Sequence, residues 1–169
     1  DEVPSWCCTP LVRRGVWVAQ GQSFLRTSQV LSAVEELRPY EAGFARVGAG
    51  AQMQHEANTN FVLTLHLVLQ LGRDSQYSAE VGEQRATLTQ GGVLVFDPTF
   101  VHTVKNLSEA EMYLFYCHFY HPQITEVERY ALLFLTQLME RLQTTGLVKS
   151  SSLAPAPAVD VYRALKFAA

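Results

Sequence analysis

Phe61-Val62-Leu63-Thr64-Leu65-His66-Leu67-Val68-Leu69-Gln70-Leu71 is the stretch that decides the fold. A strand places successive side chains on opposite faces. Phe61, Leu63, Leu65, Leu67, Leu69 and Leu71 therefore make one uniformly bulky face, suited to packing on helices. Val62, Thr64, His66, Val68 and Gln70 share the other face. A surface of small and polar residues with a histidine at its centre suits a barrel interior with room for a ligand. A core histidine bonded to a backbone carbonyl is the competing reading of His66.

A second histidine-bearing run lies downstream, from Gly91-Gly92 through Val93-Leu94-Val95-Phe96-Asp97-Pro98 to His102-Thr103-Val104-Lys105-Asn106. The glycine pair launches a strand, Asp97-Pro98 breaks it, and His102 opens the next strand, which closes at Asn106. Two histidines on separate strands of a small barrel suggest a shared metal. Imidazole with open coordination positions favours Fe(II), Zn or Ni over Mg or Ca. Around these runs, residues 40 to 121 alternate β-type segments with turn clusters at Gly48–Gly50, Gly72–Ser75, Gly82-Glu83 and Gly91-Gly92. Short strands at such spacing mean a sandwich or barrel.

Two helices flank this region. Val30, Leu31, Val34 and Leu37 fall at helical spacing before Pro39. Residues 125–145 open on the capping box Thr125-Glu126-Val127-Glu128, end before Gly146, and carry the stripe Val127, Ala131, Phe134, Leu138 and Leu142. That stripe requires a covering surface. Residues 1–23, rich in proline and glycine, read as an irregular arm with room for one strand. Residues 148–169 read as a Pro/Ala/Ser linker and a tail. The domain proper spans residues 24–147.

Composition narrows the function. The 169 residues are 48% hydrophobic and 17% charged, enough to bury one core and low in charge for a soluble domain, as if a partner covered some surface. Thirteen basic and sixteen acidic residues give a net charge of -3 with no basic cluster, which argues against nucleic acid. No apolar run reaches the length of a membrane helix. Three cysteines, two of them adjacent at Cys7-Cys8, make no disulfide framework and favour an intracellular reducing compartment. The chain opens at Asp1 without methionine, so a processed start is expected to hide any leader, and the compartment stays open.

The order His55-Glu56-Ala57-Asn58-Thr59-Asn60, His66-Leu67, Gly91, Val93-Leu94-Val95-Phe96-Asp97, Phe100, His102 and His121-Pro122 resembles the aspartyl/asparaginyl beta-hydroxylase family over residues 24 to 130. This is a branch of the cupin-like 2-oxoglutarate oxygenases. The resemblance implies a mainly β fold, a double-stranded β-helix (jelly-roll) with flanking α-helices. It implies Fe(II), 2-oxoglutarate and O2 as reactants, and hydroxylation of an Asp or Asn side chain in a peptide or protein. It places the iron ligands on His66 and His102. Members of the branch usually lack the carboxylate that completes the metal triad elsewhere, and Val68 stands two positions after His66 here. Asp97 is expected either to orient His102 or to cap the turn before Pro98. His55, Thr59, Asn60 and Lys105 are candidate contacts to substrate or cosubstrate, against loop and turn roles for the first three. His118 and His121 lie in the aromatic run 113–121, where packing is the default.

The sequence departs from the family where the cosubstrate's carboxylates are held. Arginine is expected at the positions of Glu80 and Met112, at Val62 and Thr64, and a second acidic residue at Pro98. A guanidinium grips a carboxylate bidentately, and none of these residues does. Lys105, Arg73 and Arg85 are the possible substitutes. Three readings follow: an active oxygenase using substituted residues, an inactive β-helix scaffold or subunit of a larger assembly with a residual metal, and a cupin of another chemistry.

Overall fold

The computed structural model describes residues 6–34, 37–57, 59–73 and 75–146, in two compact units that divide after His121. The expected linker and tail, 148–169, lie outside the described residues.

The first unit carries ten strands. These are β1 (Trp6–Arg13), β2 (Val16–Trp17), β3 (Pro39–Val47), β4 (Gln52–His55), β5 (Val62–Gln70), β6 (Tyr77–Val81), β7 (Gln84–Leu88), β8 (Val93–Phe96), β9 (His102–Asn106) and β10 (Met112–Tyr120). Two helices lie between β2 and β3, α1 (Ala19–Gln22) and α2 (Leu25–Ala33). The strands form a six-stranded sheet in the order β2-β1-β3-β10-β5-β8 and a four-stranded sheet in the order β4-β9-β6-β7, antiparallel throughout. From β3 onward the chain passes back and forth between the sheets, the course of a jelly-roll or double-stranded β-helix.

The alternation of β5 sets the two sides of the larger sheet. Val62, Thr64, His66 and Val68 are buried and face the smaller sheet. Leu65 and Leu67 pack on the other side against a cluster of Leu11, Val12, Leu31, Ala42, Phe115 and Cys117, in which Leu31 comes from α2. Leu31 is the one buried helix residue in this cluster, Leu69 is 39% exposed and Leu71 packs against the cluster between the sheets, so the helix cover expected of the whole bulky face is present only in part. Between the sheets, one half is apolar: Val47, Val68, Tyr77, Ala79, Val104, Met112 and Leu114 fill it. The inward positions continue into a polar half at Thr64, His66, His102 and His118.

The N-terminal stretch does more than the irregular arm expected of it. β1 pairs with β3 from Trp6↔Val47 to Arg13↔Glu41, with a bulge between Pro10 and Val12 that accommodates the proline. A two-residue turn at Arg14 and Gly15, with φ of 50° and 73°, returns the chain into β2; positive φ at both residues matches the twist of the flanking strands. Cys7, Cys8 and Cys117 are free thiols.

The second unit contains α3 (Glu126–Thr144). Its capping box is formed: the Glu128 amide donates to Thr125 Oγ1 at 3.3 Å, and the Thr125 amide donates to the Glu128 carboxylate at 2.8 Å. The stripe that needed a covering surface is open, with Val127 78% and Phe134 64% exposed. Among the described residues no helix is long and apolar enough to cross a membrane.

Candidate metal centre

His66 is set by β5 and its neighbours β8 and β10, which pair it with Leu94 and Tyr116. Buried on the inner face, it meets Tyr77 of β6 across the sandwich, where its Nδ1 and the Tyr77 hydroxyl lie 2.7 Å apart. Tyr77 is completely buried and has this one hydrogen bond among the described residues, so its hydroxyl hydrogen is best placed on Nδ1. His102 opens β9. Its Nδ1 lies 3.0 Å from the Phe100 carbonyl, which can only accept, so Nδ1 carries the proton and the Nε2 lone pair is open. Phe96 joins the two imidazoles, with its ring centroid 5.3 Å from that of His66 and 4.9 Å from that of His102.

Two further histidines enter the same region. His55 pairs with His102 across β4 and β9, with ring centroids 5.6 Å apart. His118, on β10, sits opposite Thr64 of β5, and its Nδ1 lies 2.8 Å from the Thr64 hydroxyl. The aromatic run gave no sign of this, because its two faces look alike in sequence; the cue was the cross-strand partner.

Burial governs the protonation of the group. Desolvation, reinforced by His118 and His102, pushes the His66 pKa down to about 3, and desolvation with His102 and His55 pushes His118 down to about 4. Desolvation also lowers His102, against the raising effect of its bond to Phe100. Neutral imidazole is the form that binds metal. The shifts predict a pH dependence for the metal-free protein. The folded pKa values lie below the ordinary value of 6.5, so the stabilising contribution is complete above 6.5 and is lost as pH falls toward 4. Each such histidine contributes a slope of about 1.4 kcal/mol per pH unit in that window. Urea midpoints measured with chelator should fall steeply from pH 6.5 to 5, and His118→Gln should remove part of the slope.

The remaining sequence candidates separate. Asp97 caps the turn: its Oδ1 accepts from the Thr99 amide at 2.9 Å and the Thr99 hydroxyl at 2.7 Å. Of its two expected roles the structure shows this one, and His102 is oriented by Phe100 instead. Thr59 and Asn60 lie in the segment leading into β5, and Asn58 lies outside the described residues. Lys105 alternates with His102 and Val104 and emerges on the opposite face, where its Nζ lies 3.2 Å from Glu80. Glu80 also pairs with Arg85, and its carboxyl is held below the usual range chiefly by its bond to Lys105. Met112 is fully buried in the apolar half.

A family model described as Aspartyl/Asparaginyl beta-hydroxylase matches residues 1–122. The chain belongs to the aspartyl/asparaginyl beta-hydroxylase family. The match takes in β1 and β2, which the resemblance seen over 24 to 130 left out. A comparison with curated proteins finds no match. Among solved structures, the chain is similar to the Cupin_2 domain of an XRE family transcriptional regulator from Enterobacter cloacae, at 14% identity over 69% of this chain and 98% of that one, with a TM-score of 0.49. A predicted oxalate decarboxylase from Thermotoga maritima matches at 12% identity over 54% and 74%, with a TM-score of 0.42. A Cupin 2 conserved barrel domain protein from Salinispora arenicola matches at 14% identity over 57% and 71%, with a TM-score of 0.40.

Two buried imidazoles are a donor type suited to the iron that this family implies. His102 offers Nε2 as it stands. His66 offers Nε2 once its proton moves to Nδ1, which then donates to the Tyr77 oxygen. Among the described residues no group of three or more His, Cys, Asp or Glu side chains is arranged to hold a metal. The residues do not fit 2-oxoglutarate in the expected manner, because Glu80 and Lys105 neutralise each other on the outer face and Met112 is sealed in the core.

Proposed function

We propose that this chain is a metal-dependent member of its family, with Fe(II) held by Nε2 of His66 and His102, acting on an aspartyl or asparaginyl side chain of a peptide or protein. The observation that supports it best is that the buried imidazoles of His66 and His102 pack on one ring, Phe96, with the His102 proton held on Nδ1 by the Phe100 carbonyl so that its Nε2 is free. His66 offers the same atom on moving its proton to Nδ1, toward Tyr77. Fe(II), when bound, supplies the activation of O2. The chain's own residues do the rest. Phe96 packs against both imidazoles, and the buried apolar half around Val68 and Met112 lies beside them between the sheets.

A second reading has its own observation. The outward Glu80 and the buried Met112 remove the expected grip on 2-oxoglutarate, which favours a fold kept as a scaffold or as a subunit of a larger assembly with a residual metal. Anaerobic calorimetry separates the two. Wild type and the His66→Ala, His102→Ala double variant are titrated with Mn(II) and then with 2-oxoglutarate. Histidine-dependent metal binding followed by cosubstrate binding supports the hydroxylase. Metal binding alone supports the scaffold with a residual ion or another cupin chemistry. No metal binding by the wild type sinks the proposal.

A further inference from the structure

The four-histidine region contains a donor that the metal pair does not use. Thr64 is buried at 1% exposure, and its hydroxyl makes a single hydrogen bond among the described residues, to His118 Nδ1 at 2.8 Å. A buried hydroxyl hydrogen without an acceptor is costly, so Thr64 donates and Nδ1 accepts. The His118 proton is thereby fixed on Nε2, on the side of the ring away from Thr64. His118 shares the inner face with His66, one pair further along the β5–β10 ladder. It is near enough to His66, His102 and His55 for their charges to act on one another.

We propose that His118 is a carboxylate-binding residue of this site, its Nε2–H donating to a carboxylate placed beside the His66–His102 pair. The carboxylate is supplied by a small 2-oxo acid or by an aspartyl side chain of a peptide. The proposal rests on the metal-centre reading for its location and deepens it by naming the ligand chemistry. Glu41 faces His118 across β3 and β10, and Arg13 and Arg14 lie near enough to offset its charge. Burial keeps His118 neutral, so the site carries a fixed N–H donor.

The test uses wild type, His118→Phe, which removes the donor and keeps the bulk, and His118→Gln, which restores an N–H at the same reach. Mn(II) affinity should be the same in all three. Calorimetric titration with 2-oxoglutarate and with N-acetyl-aspartate amide, each with and without Mn(II), then reads the carboxylate. Loss of a hydrogen bond to a charged acceptor should weaken binding about tenfold to a hundredfold in His118→Phe, with most of the affinity regained in His118→Gln. The probe that shows this loss identifies the source. Equal carboxylate affinity in wild type and His118→Phe overturns the proposal, as does binding of neither probe by wild type. Loss of Mn(II) in His118→Phe overturns it too, by making His118 a ligand. If wild type binds no Mn(II), the metal reading fails separately, and the metal-free titrations still decide the role of His118.

Discussion

His66→Ala and His102→Ala should abolish metal binding alike and destabilise the fold to different extents. Each removes one of the two proposed ligands, and a lone imidazole is a weak anchor for Fe(II) or Mn(II). Removal of the buried His66 ring also leaves a cavity beside Phe96 and strips the Tyr77 hydroxyl of its partner. Together these should cost about 3–5 kcal/mol. His102→Ala removes a ring that packs on Phe96 and His55, but the acceptor it frees, the Phe100 carbonyl, belongs to a residue that is 49% exposed, so it should cost less than His66→Ala. Thermal unfolding with and without Mn(II) checks both parts. The wild type should gain about 2.7 kcal/mol at a metal concentration one hundred times its Kd, and neither variant should gain anything.

Asn106→Leu should be among the most destabilising single changes in the first unit. Asn106 ends β9 fully buried, and its Nδ2 donates to the carbonyls of Val47, Gly48 and Ala110 at 3.2, 2.9 and 2.8 Å. Its Oδ1 accepts from the Ser108 amide at 3.1 Å and the Ser108 hydroxyl at 2.8 Å. One side chain thus ties the end of β3 to the β9–β10 turn. Leucine keeps the volume and none of the bonds, taking a donor from the Val47 and Gly48 carbonyls while Ala110 keeps that of Ser108, at a cost of about 3–5 kcal/mol. Urea unfolding should show this as a lower midpoint with an unchanged slope. Asn106→Asp, which keeps the acceptor and loses the donors, should recover little.

What the sequence disclosed depended on whether a local pattern carried it. The period of two in β5 separates the face against Leu31 of α2 from the face bearing His66. Asp97-Pro98 marks the break between β8 and β9, and His102 and Asn106 are the ends of β9 as the sequence predicts. The capping box places the start of α3. Non-local pairing was not legible. β1 reads as irregular because its segment is rich in proline and glycine, and only β3 makes it a strand, with Pro10 at a bulge. Tyr77 and His118 were missed for a related reason. Each gains its role from a partner on another strand, Tyr77 from His66 and His118 from Thr64, and neither pair is close in sequence. The outward turn of Lys105 follows from parity with His102 on the same strand, and its ion pair with Glu80 needed the register of β6 against β9.

The central claim is that His66 and His102 share one metal ion. Its most direct test is pulsed electron paramagnetic resonance of the anaerobic Mn(II)-loaded protein, which detects nitrogen nuclei coordinated to the ion. The account predicts two imidazole nitrogens in wild type, one in either His66→Ala or His102→Ala, and two in His118→Gln. A spectrum without imidazole nitrogen, or one unchanged by either alanine substitution, would contradict it.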